Sequence, residues 1–177
     1  ILKIASADRV ATRLKQVGVG GAKSKSTPES LRQMVDKTIE NEDWTVAMIH
    51  GITYGYDAFD SPDILWNHLE EVSKMKNEAW IATFRDVATY CEARDAVELK
   101  VKKVKKNKYE ITPSLSLDKD LFAGNLTLIV ELEDVKKIVI EQDRTRVEML
   151  RDIKDEKIMT FPFDPFGKPI YITITDR

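Results

Sequence analysis

Cysteine and histidine are nearly missing from this sequence of 177 residues: Cys91 is the one cysteine, and His50 and His68 are the two histidines. One cysteine excludes an internal disulfide and leaves the redox compartment open. The histidines form no His-x-x-x-His or His-Glu-x-x-His pair, which argues against a histidine-based metal site built within the chain. Charge of one sign is also lacking, with 28 basic and 30 acidic residues and a net charge of −2. That balance gives no support for a nucleic acid or an anionic membrane as partner. No apolar run approaches the roughly 20 residues that span a bilayer. A Gly-x-Ser-x-Gly elbow, a phosphate-binding Gly-x-x-x-x-Gly-Lys loop and a dinucleotide glycine fingerprint are all absent, so three common catalytic and nucleotide-binding frameworks have no starting point. The chain begins at Ile1 rather than Met, and the expectation is a processed product or part of a longer protein, any export signal having preceded it.

The sequence is 42% hydrophobic and 33% charged, enough to bury a core and stay hydrated. Its character changes near residue 97. Before that point, residues 1–5, 44–49 (WTVAMI) and 79–82 (AWIA) read as strands, the second lacking helical period as a strand buried on both faces does. Ser26 or Thr27 with Pro28 and Glu29, and Ser61 with Pro62 and Asp63, are helix starts: hydroxyl caps, then proline in the first turn and an acid near the positive end. A third helix begins after Thr83. This alternation predicts a parallel α/β arrangement over 1–96, as a barrel or an open sheet. From 97 to 177 the pattern becomes short strands at 97–104, 108–115, 125–132, 136–141, 145–150, 157–162 and 169–175, which suggests a small β-sandwich. The basic run VKKVKKNK at 101–108 reads as a solvated or edge strand guarded by lysines.

His50 stands where an apolar strand ends, with Gly51 directly after it. In parallel α/β units ligands gather at that strand end, and an imidazole there can act as general acid or base near neutrality. The alternative is a loop histidine held by hydrogen bonds. Tyr54, Tyr56 and Phe59 follow in the same loop and could stack on sugar rings or pack the loop down. Asp8 and Arg9 leave the first strand, at the sheet end expected to carry His50. There they could tune an imidazole or hold an anion, or form a surface ion pair. His68 reads as a surface or boundary residue of its helix, and Cys91 as a small core residue. Asp57, Asp60 and Asp63 lack the ligand spacing of a calcium loop.

WTVAMIHGI, then GYDAF, a helix containing HL, and AWIATFRDVATYCEARDA together resemble the C-terminal end of the polysaccharide deacetylase (NodB-homology) domain, carbohydrate esterase family 4. The resemblance covers residues 28–96 well and 1–27 loosely, and the tail NLTLIVELEDVKKIVIEQ is similar to a β-domain that trails one branch of the family. It implies a distorted (β/α) barrel that removes N- or O-acetyl groups from sugars with a divalent metal, commonly zinc. His50 matches the family's proton donor to the leaving group. The family's Thr-Phe-Asp-Asp and His-x-x-x-His motifs, which supply the base and metal ligands, are absent here. The resemblance therefore implies that the metal-binding half lies ahead of residue 1.

The expectation is thus an α/β chain: the C-terminal part of a distorted (β/α) barrel at 1–96, followed by a small all-β sandwich-like domain at 97–177. Its function would be that of the C-terminal portion of a polysaccharide deacetylase, inactive without the missing half. His50 is the catalytic candidate, and Asp8, Arg9, Tyr54 and Tyr56 are the substrate-binding candidates. No metal ligand is assigned within the chain. The expected partners are an acetylated carbohydrate and either the missing half or a second copy, and the expected location is secreted, periplasmic or cell-surface. The alternative function is a non-catalytic carbohydrate-binding or protein-interaction module.

Overall fold

The structure is a computed structural model. It describes residues 2–4, 15–18, 27–41, 44–48, 51–54, 59–76, 78–133, 137–152 and 155–175. The chain divides into two compact units, one comprising Ala7–Phe84 and the other Ile1–Ser6 with Arg85–Arg177. The first residues thus belong with the later unit.

The smaller unit holds strand β2 (Lys15–Gly18), helix α1 (Pro28–Glu40), strand β3 (Thr45–Met48) and helix α2 (Pro62–Ser73), with β1 (Leu2–Ile4) belonging to the other unit. Strands β2 and β3 pair in parallel, Lys15 opposite Thr45 through Gly18 opposite Met48. With α1 as crossover they form a strand–helix–strand unit, since parallel neighbours cannot be joined by a tight hairpin. Both helix starts behave as their sequences require. Thr27 Oγ1 accepts from the Ser30 N–H, and the Thr27 N–H donates to Ser30 Oγ, a reciprocal box that satisfies two donors the helix leaves open. Ser61 Oγ accepts from the Asp63 N–H. Leu31 of α1, Leu65 of α2 and Phe59 form the buried centre of this unit.

The larger unit holds helix α3 (Phe84–Ala96, beginning one residue earlier than the unit) and strands β1, β4 (Glu98–Lys105), β5 (Lys108–Ser114), β6 (Leu126–Glu131), β7 (Lys137–Gln142), β8 (Thr145–Arg146), β9 (Leu150–Arg151), β10 (Ile158–Phe163) and β11 (Ile170–Thr175). They make two sheets, ordered β1-β6-β10-β9 and β4-β5-β11-β7-β8, with every described pairing antiparallel. Alternation along each strand decides which face is dry. Leu126, Leu128 and Val130 of β6, Met159, Phe161 and Phe163 of β10, Ile138 and Ile140 of β7, and Ile170 and Ile172 of β11 share one core with Ile111 and with Ala93 of α3. Tyr90 of α3 adds a polar tie, its hydroxyl accepting from the Thr127 N–H.

The expected (β/α) barrel is not formed by the described residues: they are mostly β, and among them no barrel closes. The reason lies in two short segments. Leu2–Ile4 is a strand, but it pairs antiparallel with β6, Leu2 opposite Val130. Residues 79–82, read as a strand, form no described ladder. Among the described residues the parallel strands that remain are β2 and β3, and two strands cannot curl into a closed barrel.

Candidate functional site

Parallel strands leave an open edge at their C-terminal ends, and in β2 and β3 these ends are Gly18 and Met48. Beyond Met48 the sequence runs Ile49, His50, Gly51. The loop that follows is tied shut where the Phe59 N–H donates to the Ile52 carbonyl at 2.9 Å. Phe59 itself is buried against Leu31 and Leu65, so both helices hold the far end of the loop. Between the two tied ends Tyr54 stands 90% exposed. At the other end of β3 the Thr38 and Thr45 hydroxyls meet at 2.5 Å. Thr38 also donates to the Met34 carbonyl, so Thr45 is the donor between them and α1 is fastened to the start of β3. Trp44 packs on Phe84 with ring centroids 4.9 Å apart.

Of the candidate residues, Tyr54 is the one within the described structure, and it presents an aromatic ring to solvent rather than packing the loop. The aromatic that packs the loop is Phe59. His50, Asp8, Arg9 and Tyr56 lie outside the described residues. The geometric premise for Asp8 and Arg9 changes, because the strand preceding them is a neighbour of β6 and not of β3.

His68 lines a cleft of about 270 Å³ between α1 and α2, together with Arg32, Val35, Asp36, Glu71 and Val72. Burial lowers the His68 pKa below the usual 6.5, and Glu71 pulls the other way. His68 is half-buried, in keeping with a residue at the boundary of its helix, and burial favours its neutral form. Cys91 is half-buried, and burial pushes its thiol pKa up against the pull of Arg94. A protonated thiol is a poor nucleophile. Arg94, inside the Glu-Ala-Arg-Asp stretch, is 10% exposed and bonds Asp95 through Nε and Nη2, while its Nη1 is buried without a described partner.

Among the described residues no group of three or more His, Cys, Asp or Glu side chains could hold a metal ion. The described residues therefore do not fit the zinc that the resemblance implies. No described helix is long and apolar enough to cross a membrane. In comparisons with known proteins, the chain matches no family model, no curated protein and no solved structure.

Proposed function

We propose that this chain supplies the proton-donor segment of an enzyme that removes acetyl groups from a polysaccharide, with His50 as general acid. The observation that carries the proposal is the parallel β2–α1–β3 unit, whose second strand ends two residues before His50. Ligand chemistry gathers at such ends. The order of short motifs from Trp44 to Asp95, which resembles the deacetylase family, supports the same reading, as does the solvent-facing Tyr54 in the loop after His50. In the proposed step the imidazolium passes its proton to the amine nitrogen or alkoxide oxygen as the bond to the acetyl carbon breaks. The groups that activate the attacking water come from outside these 177 residues, and an exported location goes with the proposal.

The test is acetate release by the natural protein from an acetylated oligosaccharide. His50→Ala is expected to lower turnover by about 10²–10⁴-fold, and the rate should fall as pH rises through the imidazole pKa, because the donor must be protonated. Turnover that His50→Ala leaves unchanged removes the assignment. A second reading, a non-catalytic carbohydrate-binding or protein-interaction module, is favoured by the concentration of the dry core in the β-rich unit. It wins if the 177-residue chain binds the glycan and the natural protein releases no acetate.

A further inference from the structure

The β4–β5 hairpin carries an unusual charge. Residues 98–110 hold six lysines and two glutamates, a local charge of +4. The whole chain is −2, so the remainder is −6. β4 forms one edge of its sheet, and lysines on an edge strand are an ordinary guard against strand-to-strand aggregation. That explanation covers Lys100, Lys102, Lys103 and Lys105. It does not cover Lys106, in the turn, or Lys108, on β5, which is paired on both sides by β4 and β11.

The lysines are also badly placed for stability. Lys105 stands directly opposite Lys108, a like-charge pair that weakens a hairpin, with Lys106 in the turn between them. None of the six forms an ion pair with a described residue. Two are held over rings, Lys103 Nζ 5.8 Å from the centre of Tyr109 and Lys108 Nζ 4.8 Å from that of Tyr171. These contacts lie on opposite faces: Lys103 and Tyr109 share the Ile111 side, and Lys108 sits with Tyr171 on the other. The ring contacts restrict two flexible cations in advance, which lowers the entropy lost when a ligand arrives. Edge protection, the two ring contacts and the Glu110 that stands opposite Lys102 leave the repulsion between Lys105 and Lys108, with Lys106 in the turn beside them, without a stabilising return among the described interactions, and such a local conflict marks a place where function competes with stability.

We propose that the β4–β5 hairpin binds an acidic polysaccharide, one whose sugars carry carboxylates; this deepens the carbohydrate reading above and rests on it. Lysine ammoniums are point charges that suit a row of single carboxylates, whereas planar bidentate recognition is served by arginine. Cations on both faces of a thin hairpin suit a flexible linear chain rather than a flat anionic membrane. Both tyrosines of the hairpin region lie under lysines, so no free ring is offered for stacking on nucleic-acid bases.

The test uses the 177-residue chain with polygalacturonate as probe, dextran as neutral control, and duplex DNA and phosphatidylserine vesicles as the competing anions. Polygalacturonate is expected to bind and dextran not, with affinity falling as salt rises. The combined variant Lys100→Gln, Lys105→Gln and Lys106→Gln, which spares both ring contacts, is expected to bind at least about tenfold more weakly while unfolding at the same or higher denaturant concentration. Equal binding by the variant, absence of polygalacturonate binding, or equal binding to DNA or vesicles overturns the proposal. Acetate release from a neutral acetylated oligosaccharide is measured separately on the natural protein. Its absence removes the deacetylase reading alone, and loss of polygalacturonate binding with acetate release intact removes the hairpin proposal alone.

Discussion

Gln142 and Asp164 grip each other through both ends of one amide. Gln142 Oε1 accepts from the Asp164 N–H at 2.9 Å, and Nε2 donates to the Asp164 carbonyl at 2.8 Å. Nε2 also donates to the Lys168 carbonyl at 3.0 Å. Gln142 is 7% exposed, the buried polar side chain of the described core, and it joins the end of β7 to the turn between β10 and β11. The turn tightens around it: Asp164 Oδ1 accepts from the Phe166 N–H, and the Gly167 N–H donates to the Asp164 carbonyl. A side chain at Gly167 would bring its Cβ to 2.7 Å from Gln142 Nε2.

Gln142→Leu is therefore expected to destabilise the β-rich unit by about 2–3 kcal/mol, since the Asp164 N–H and the Lys168 carbonyl lose their partner and the Asp164 carbonyl keeps only the Gly167 N–H. Gly167→Ala should destabilise less, by displacing the amide without removing it. Urea unfolding followed by tryptophan-free far-UV signals checks both, and a Gln142→Leu midpoint equal to that of the parent would show the clamp to be idle.

The loop between β7 and β8 has two residues, Asp143 and Arg144, with φ of 51° and 64°. Gln142 and Thr145 pair across it. Two successive left-handed residues are the turn that matches strand twist, and its second position favours glycine. An arginine there holds a conformation that costs about 1 kcal/mol. Arg144→Gly should recover part of that in an equilibrium unfolding measurement, and Arg144→Ala should not. A gain from alanine equal to that from glycine would place the effect in the side chain instead.

His68 gives a pH dependence with a definite sign. Its folded pKa is held below 6.5 by burial, so the unfolded chain binds the proton more readily. Its share of stability is present above pH 6.5 and is lost as pH falls below that value toward the depressed folded pKa. The loss should be modest, because the group is only half-buried. His68→Gln should flatten this part of the profile in urea midpoints taken from neutral to mildly acid pH. A parent profile already flat across that window contradicts the placement of the imidazole in the α1–α2 cleft.

The elements that the sequence made legible are those whose cause is local. Thr27–Pro28 and Ser61–Pro62–Asp63 announce α1 and α2, and both caps are made. Alternation at Leu126–Val130 and Ile170–Ile172 announces strands with one dry face. What failed was the assignment of partners. Leu2–Ile4 reads as a strand from its composition, yet nothing in its own residues names β6 as its neighbour. The run at 79–82 is as apolar as β3, and a short apolar run does not say whether a ladder will form. Lys15–Gly18 was legible as neither strand nor helix, being short and polar at its start. For the site, the exposure of Tyr54 and the burial of Phe59 were beyond reach, because two aromatics in one loop carry the same local signal. The cleft beside His68 is lined by residues of α1, a neighbour that the pattern of its own helix cannot name.

Charge and packing can be separated at the hairpin tip. Lys105 and Lys108 face each other across β4 and β5, and Lys108 is held by Tyr171, whose hydroxyl is bonded to Glu110. Lys105 has no such contact among the described interactions, so removing its charge relieves repulsion without dismantling anything. Lys105→Gln is expected to stabilise the unit by about 0.2–1 kcal/mol at low salt, and the gain should shrink as salt screens the pair. Lys108→Gln removes the same repulsion but also the ring contact with Tyr171, so its gain should be smaller or reversed. Urea midpoints for both variants at low and high salt decide the matter. If Lys105→Gln destabilises at low salt, the repulsion is not real, and the strongest reason for giving these lysines a ligand is lost with it.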